Sequence, residues 1–171
     1  MLRMDPESEY HFHVNKELSD ETVVSLNGRK RNTVKWLPTK GHIRGVVVIA
    51  HGLHEHSLRY SDLAHSLTSK GLAVFAIDHE GHGHSGDVHG LVSDWRHLSE
   101  DFVSFTEAVH AQFPTLPIMM FGHSMGTSIV IQSAEHLNYI KAAVLCGTSF
   151  VPGPGSLCPW GKLDSKMEST F

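Results

Sequence analysis

The sequence has little of several features that would assign it to a special class of protein. Its 171 residues include only two cysteines, Cys146 and Cys158, which cannot form the disulfide framework of a small secreted domain. No apolar run approaches the length of a membrane span, and no apolar segment near Met1 resembles a secretory signal. Charged residues are 19% of the chain and the net charge is −4, so the composition indicates no nucleic-acid partner. We therefore expect a cytoplasmic globular protein.

The chain does contain a repeated alternation of strand and helix patterns. Continuous β-branched runs such as Gly45–Ala50 are typical of strands that are buried on both faces of a parallel sheet. Asn27-Gly28 predicts a hairpin turn, Ser57 a helix cap, and Cys146 a buried thiol at the end of a buried strand. The predicted strands lie at 22–26, 32–37, 45–50, 72–77, 118–121 and 142–146, and the predicted helices at 57–70, 94–113 and 124–136.

This alternation predicts an α/β fold with a mostly parallel sheet and helices on both faces. Residues 1–20 are polar and are expected to be an irregular lead-in. Residues 21–150 carry all the strand and helix patterns and are expected to be one domain, or part of one. From 151 to 171 the periodicity is lost, so we expect an unstructured tail.

Three loops rich in glycine and histidine follow predicted strands, at 51–56, 78–86 and 122–126. Ligands of parallel sheets bind at the carboxyl ends of the strands, so we expect these loops to meet there. The third loop has the Gly-x-Ser-x-Gly pattern between a strand and a helix, which is typical of a nucleophile elbow. Such a turn presents the hydroxyl of Ser124 above the sheet, and its glycines allow strand and helix to approach closely.

Together these three motifs resemble the monoglyceride lipase group of α/β-hydrolases, which also includes serine aminopeptidase-like members. The resemblance covers about residues 30–150 and implies a serine hydrolase that cleaves acyl esters through an acyl-enzyme. It implies a small-molecule or lipid ester as substrate and no cofactor. It leaves peripheral membrane contact open, because lipases of the family meet membranes through a cap segment that we do not find here.

The resemblance also implies roles for individual residues. Ser124 matches the nucleophile of the family. Leu53 and Met125 match the positions whose backbone N–H groups form the oxyanion hole. Glu55 and Arg59 match polar positions near the alcohol end of the substrate. The active serine of such an enzyme needs a histidine base and an acid that orients the base.

The second loop has two interpretations. Asp78 and the turn Gly81–Gly83 match a family signature that supports the site without taking part in the chemistry. The density of histidines at 79, 82, 84 and 89 would suit zinc, but no H-E-x-x-H helix is present and the glycines fit the turn equally well. We expect no metal ion.

The remaining members of a catalytic triad are missing from the sequence. In α/β-hydrolases the acid and then the histidine follow the serine, but the single histidine after Ser124 is His136. It lies twelve positions along the predicted helix, roughly 18 Å away at the helical rise, and no histidine follows Asp164 or Glu168. We therefore expect the triad acid and base, the later strands and the cap to lie outside this chain.

Three explanations remain open at this point. We favour a fragment or an incomplete gene product of an active serine hydrolase. The second is a short isoform that acts as a non-catalytic binding or regulatory module. The third is a base recruited from the histidines of the loops at 51–56 and 79–84.

Overall fold

The structure shows how the predicted strands and helices are arranged in space. It is a computed structural model that describes residues 20–86 and 88–148, so the tail expected at 151–171 and nearly all of the expected lead-in lie outside the described residues. The strands are β1 (Asp20–Leu26), β2 (Arg29–Trp36), β3 (Gly45–Ala50), β4 (Leu72–Ile77), β5 (Ile118–His123) and β6 (Ile140–Cys146). A 3₁₀ helix spans Ser57–Tyr60, and the α-helices are α1 (Ser61–Thr68), α2 (Arg96–Gln112) and α3 (Met125–Ala134).

The six strands form one sheet in the order β1-β2-β4-β3-β5-β6. Strands β4, β3, β5 and β6 pair in parallel, whereas β1 with β2 and β2 with β4 pair antiparallel. Helix α1 packs on one face of the sheet, and α2 and α3 pack on the other. The predicted α/β fold, with a mostly parallel sheet and helices on both faces, is confirmed.

The apolar run of β3 is explained by its central place in the sheet. Because side chains alternate along a strand, Val46 and Val48 contribute to the core under α2 and α3, and Val47 and Ile49 to the core under α1. All six residues of β3 are buried. A strand covered on both faces needs apolar residues at every position, and this gives the continuous run in the sequence.

The hairpin between β1 and β2 forms where the sequence predicts it, with φ angles of 50° at Asn27 and 78° at Gly28. It is attached to α2 by a buried group of charges. Asp101 of α2 accepts hydrogen bonds from Arg29 (Nη2–Oδ1, 2.6 Å) and Arg31 (Nε–Oδ2, 2.8 Å). This ion-pair group fixes the antiparallel end of the sheet to the helical layer.

Two local expectations are wrong. Ser57 does not cap a helix: it is the first residue of the 3₁₀ helix, and its backbone N–H donates to Asp78 Oδ1 (2.7 Å). The regular helix begins four residues later than predicted, at Ser61, and Gly71, with φ 81°, follows its end. A carboxylate distant in sequence therefore replaces the local cap.

The second wrong expectation concerns the environment of β6. The strand forms as predicted, but its residues from Lys141 to Cys146 are exposed, with Val144 at 56% and Leu145 at 39%. Cys146 is consequently an exposed free thiol and not a buried one. The reason is topological: among the described residues β6 is an edge strand that pairs only with β5.

Candidate functional site

The candidate site lies where the strand order changes direction. Strand β3 has β4 on one side and β5 on the other, so the segments leaving β3 and β5 separate and a crevice opens at their carboxyl ends. The loop at 51–56 leaves β3, the loop at 78–86 leaves β4, and Ser124 follows β5. The structure thus brings together the three loops that the sequence predicts to meet.

Ser124 is the single residue between β5 and α3, and its backbone is strained, with φ 48° and ψ −116°. Left-handed φ values are uncommon for residues other than glycine and cluster at functional sites. The turn is fixed on both sides, because Ser124 N–H donates to Cys146 O (2.9 Å) and Ser124 O accepts from Thr127 N–H (2.9 Å). The side chain is partly exposed.

The two glycines around Ser124 are required by close backbone contacts. A Cβ on Gly122 would lie 2.5 Å from the carbonyl oxygen of Gly126. A Cβ on Gly126 would overlap the carbonyl of Ala50 at the end of β3 and lie 2.9 Å from His51 O. The first turn of α3 is therefore pressed against the carboxyl end of β3, as the glycine pattern predicts.

Leu53 and Met125 lie on the two segments that border this crevice. Leu53 follows β3 in a tight turn in which Glu55 N–H donates to Gly52 O (3.2 Å). Met125 is the buried first residue of α3, so its N–H is among those at the helix start that have no intrahelical acceptor. The positive end of the helix dipole and these N–H groups suit a negatively charged oxygen.

Glu55 connects the two segments, and the sequence did not indicate this. Its Oε2 accepts hydrogen bonds from Gly52 N–H (2.9 Å), Tyr60 O–H (2.5 Å) and His123 Nδ1 (3.0 Å). Its Oε1 pairs with Arg59 Nε at 3.2 Å. Tyr60 and His123 are thus residues of the site that sequence reasoning missed, and the spacing Glu55 to Tyr60 carries no periodic signal that could have found them.

The electrostatics of Glu55 follow from these contacts. Burial by itself raises the pKa of Glu55, but the hydrogen bonds from Tyr60, His123 and Gly52 outweigh it and lower the pKa to about 2. Burial and the hydrogen bond to Glu55 raise the pKa of Tyr60. Glu55 is therefore a carboxylate at neutral pH, and His123 must carry its proton on Nδ1 to donate to it.

Asp78 organises the second loop. Its carboxylate accepts from the backbone N–H groups of Ser57 (2.7 Å) and His84 (2.9 Å) and from Asn32 Nδ2 (3.0 Å). Burial opposes ionisation of Asp78, but these hydrogen bonds outweigh it and lower its pKa. Asp78 thereby connects three segments, and Asn32 is a further residue that the sequence did not indicate.

His51, which connects the first loop to the second, is held in place by hydrogen bonds at both ring nitrogens. His51 is fully buried, its Nδ1–H donates to Gly52 O (2.7 Å) and its Nε2 accepts from His79 N–H (3.0 Å). Burial, the largest cause, lowers the pKa of His51 to about 4. Both ring nitrogens are occupied, so this histidine has no lone pair to offer Ser124.

The described residues do not bring a base to Ser124. No side chain within 20–86 and 88–148 hydrogen-bonds its hydroxyl. His136 lines a hollow of about 390 Å³ together with Asn27 and Glu100, beside the first half of α2. None of the three loops contributes a residue to the lining of this hollow. Within the same residues no group of three or more His, Cys, Asp or Glu side chains is arranged to hold a metal ion.

The described residues also give no sign of a membrane-spanning helix. No helix in the described part of the chain is long and apolar enough to cross a membrane.

Comparisons with known proteins agree with this geometry. Residues 41–171 match the protein family described as serine aminopeptidase, S33. The chain is similar to the monoglyceride lipase of Mus musculus, with 33% identity over 146 residues, which are 85% of this chain and 48% of that protein. It is also similar to the monoacylglycerol lipase of Mycolicibacterium smegmatis, with 36% identity over 135 residues, which are 78% of this chain and 48% of that protein.

Solved structures give the same result. A monoglyceride lipase from Saccharomyces cerevisiae, in complex with a substrate analogue, has a TM-score of 0.71 and 26% identity, covering 85% of this chain and 49% of that one. A thermostable carboxyl esterase from Bacillus coagulans has a TM-score of 0.67 and 32% identity, covering 78% of this chain and 46% of that one. The chain spans about half the length of the curated relatives it matches.

Proposed function

Because the chain belongs to the serine aminopeptidase S33 family of α/β-hydrolases, we propose that it supplies the nucleophile side of an acyl-ester hydrolase of the monoacylglycerol lipase and carboxylesterase type. The observation that carries the proposal is the left-handed backbone of Ser124, with φ 48°, between β5 and α3. The names of the relatives support an ester of a small molecule or of a lipid as the substrate.

In the proposed reaction Ser124 Oγ attacks the carbonyl carbon of the ester and loses its proton to a base. The carbonyl oxygen becomes an oxyanion, which accepts hydrogen bonds from the backbone N–H groups of Leu53 and Met125. The bond to the alcohol oxygen then breaks, and the base returns the proton to the departing alcohol. Water hydrolyses the acyl-serine through the same two steps and releases the acid.

The base and its acid come, in this proposal, from outside the described residues. No described side chain hydrogen-bonds the Ser124 hydroxyl, and the ring nitrogens of His51 are both engaged. Loss of base and acid leaves only the oxyanion hole and substrate binding, which retain roughly 10³–10⁴-fold catalysis over water in other serine hydrolases. We expect the 171-residue chain to hydrolyse esters at this low level by itself.

A second candidate is a non-catalytic binding or regulatory module with the hydrolase fold. The observation that favours it is again the absence of a described partner for the Ser124 hydroxyl. It differs from the first candidate in one consequence: a binding module would be indifferent to the loss of the Ser124 hydroxyl.

The test is labelling with a fluorophosphonate, which reacts with activated serines, followed by identification of the labelled peptide. The purified chain and an extract of its source are both treated, and Ser124→Ala is compared with Ser128→Ala, a matched change one turn along α3. We expect label on Ser124 in a longer protein of the extract that contains this sequence, and little or none on the purified 171-residue chain. In whichever form Ser124 is labelled, Ser124→Ala should abolish the label and Ser128→Ala should not.

The outcomes separate the candidates. Label on a larger protein that contains this sequence places the base in that longer chain. Label on the purified 171-residue chain shows that it is reactive by itself and overturns the expectation that the base lies outside this chain. Absence of label at Ser124 in both samples supports the binding module and contradicts the proposed hydrolase.

A further inference from the structure

We infer that Glu55 is a positioning residue that couples the two halves of the oxyanion hole. The inference rests on the proposed function, because the oxyanion hole is part of that proposal. It also separates Glu55 from Arg59, which the family resemblance groups with it at the alcohol end of the substrate.

One carboxylate oxygen joins the two backbone segments. Glu55 Oε2 accepts from Gly52 N–H (2.9 Å), the residue directly before Leu53. The same oxygen accepts from His123 Nδ1 (3.0 Å), and His123 is two residues before Met125. The two segments that carry the Leu53 and Met125 N–H groups are therefore joined, beyond the packing of α3 on β3, through a single acceptor atom.

The carboxylate is itself held against the core. Tyr60 O–H donates to Oε2 (2.5 Å), and the Tyr60 ring is buried with its centroid 5.9 Å from that of Phe121 on β5. There is no spare room around the oxygen, since a Cβ on Gly52 would lie 2.9 Å from Oε2 and 3.1 Å from His123 Nδ1. Because the carboxylate is packed this tightly, a displacement of it would displace both backbone segments that donate to it.

The negative charge of Glu55 keeps the three hydrogen bonds to its Oε2, which we call the junction, intact over a wide pH range. A carboxylate with a pKa of about 2 is a pure acceptor at neutral pH, so all three donors point at it and none is repelled. A glutamine of the same size presents an amide nitrogen or a weaker neutral oxygen to the same donors. The structure therefore identifies the charge of Glu55, and not only its shape, as the element that holds the junction.

The same contacts leave Glu55 little capacity for a substrate hydroxyl. Three donors occupy Oε2 and Arg59 occupies Oε1, while the side chain is only 13% exposed. The Arg59 side chain is 67% exposed and is the one of the pair that can turn towards an alcohol. Glu55 acts on the reaction through the backbone that it positions.

The first test does not depend on activity. Backbone hydrogen exchange is measured on the full chain for wild type, Glu55→Gln and Glu100→Gln, the latter being the same change on α2 at a carboxylate that is half exposed. We expect at least ~10-fold faster exchange in 51–56 and 123–127 for Glu55→Gln, and no change there for Glu100→Gln. Equal exchange in the two variants would overturn the inference.

The second test uses the form of the protein that reacts with fluorophosphonate, and compares a methyl and a glyceryl ester of the same acid. Loss of one oxyanion donor costs on the order of 10²–10³ in kcat, so a displaced donor in Glu55→Gln is expected to cost ~10-fold or more for both esters, with little change in KM. Tyr60→Phe, which removes one of the three donors, is expected to give a smaller loss in the same direction.

A role in alcohol binding gives a different pattern. In that case Glu55→Gln would raise KM for the glyceryl ester alone and leave the methyl ester and the labelling rate unchanged, and the inference would be wrong. If the wild-type protein reacts with neither ester nor label, the proposed function fails, but the exchange experiment still decides whether Glu55 couples the two segments.

Discussion

The carboxylate of Asp78 occupies the space that a side chain at position 83 would need. A Cβ on Gly83 would overlap Oδ2 of Asp78, and the φ of Gly83 is 54°. The same oxygen accepts from His84 N–H (2.9 Å) and from Asn32 Nδ2 (3.0 Å). The loop that leaves β4 is therefore closed around this carboxylate and can turn only at a glycine.

Gly83→Ala is expected to open this loop. The methyl group would displace Asp78 from its three donors, and the left-handed backbone adds strain, so we expect a loss of more than ~2 kcal/mol in the free energy of unfolding by urea. Gly41→Ala is the matched control, because Gly41 has φ 79° but nothing within 4 Å of its Cβ position. It is expected to cost only about 1 kcal/mol, and equal losses would contradict the role of Asp78.

Ser124 stores backbone strain that glycine would relieve. Because φ is 48° at Ser124, Ser124→Gly is expected to be more stable than Ser124→Ala by roughly 1 kcal/mol, measured by urea unfolding. Both variants lack the hydroxyl and should be silent to fluorophosphonate. If alanine proves as stable as glycine at this position, the turn is not strained in the way that we describe.

The buried histidines make stability fall as the pH is lowered. Burial lowers the pKa of His51 from 6.5 to about 4 and lowers the pKa of His79 in the same direction. The native state stays neutral where the unfolded chain binds protons, so the free energy of unfolding decreases as the pH falls below about 6.5. His51 is expected to contribute about 1.5 kcal/mol of this loss between pH 6.5 and pH 5.

Urea unfolding at pH 7, 6 and 5 measures this slope. Glu55 and Asp78 have lowered pKa values, so the stability they contribute is lost only below about pH 4.5 and does not interfere in this window. His51→Gln, which keeps a donor and an acceptor, should reduce the slope without removing it, because His79 remains. An unchanged slope would mean that His51 titrates normally in the folded protein.

The exposed edge strand β6 predicts self-association. Val144 and Leu145 point to opposite faces of the strand and are both exposed, and the outer edge of β6 has no partner strand among the described residues. We expect concentration-dependent association of the chain in light scattering, and less of it in Val144→Lys. Leu91→Lys, at an equally exposed leucine in a loop, is the control and should have no effect. A monomeric wild type at all concentrations would count against this prediction.

The helices, strands and the Ser124 turn could be predicted because they depend on residues that are close in sequence. Five or six neighbouring residues are enough to determine the local backbone in both the β-branched run Gly45–Ala50 and the pattern Gly122–Gly126. The sequence also showed, by the position of His136, that no later histidine of this chain can reach Ser124. The tail at 151–171, the oxyanion roles of Leu53 and Met125 and the substrate remain predictions.

The sequence by itself determined the α/β alternation, the three loops at strand ends and the glycines that let them meet. Only the tertiary structure decided which side chains form hydrogen bonds between those loops and their neighbours. Glu55 reaches His123, 68 positions away, and Asp78 reaches Asn32, 46 positions away, because the order β2-β4-β3-β5 places their strands near one another. Among the residues that the structure describes, strand order also leaves β6 at an exposed edge. The local periodicity of a sequence predicts which face of a strand is apolar, but it does not predict which strand lies beside it in the sheet.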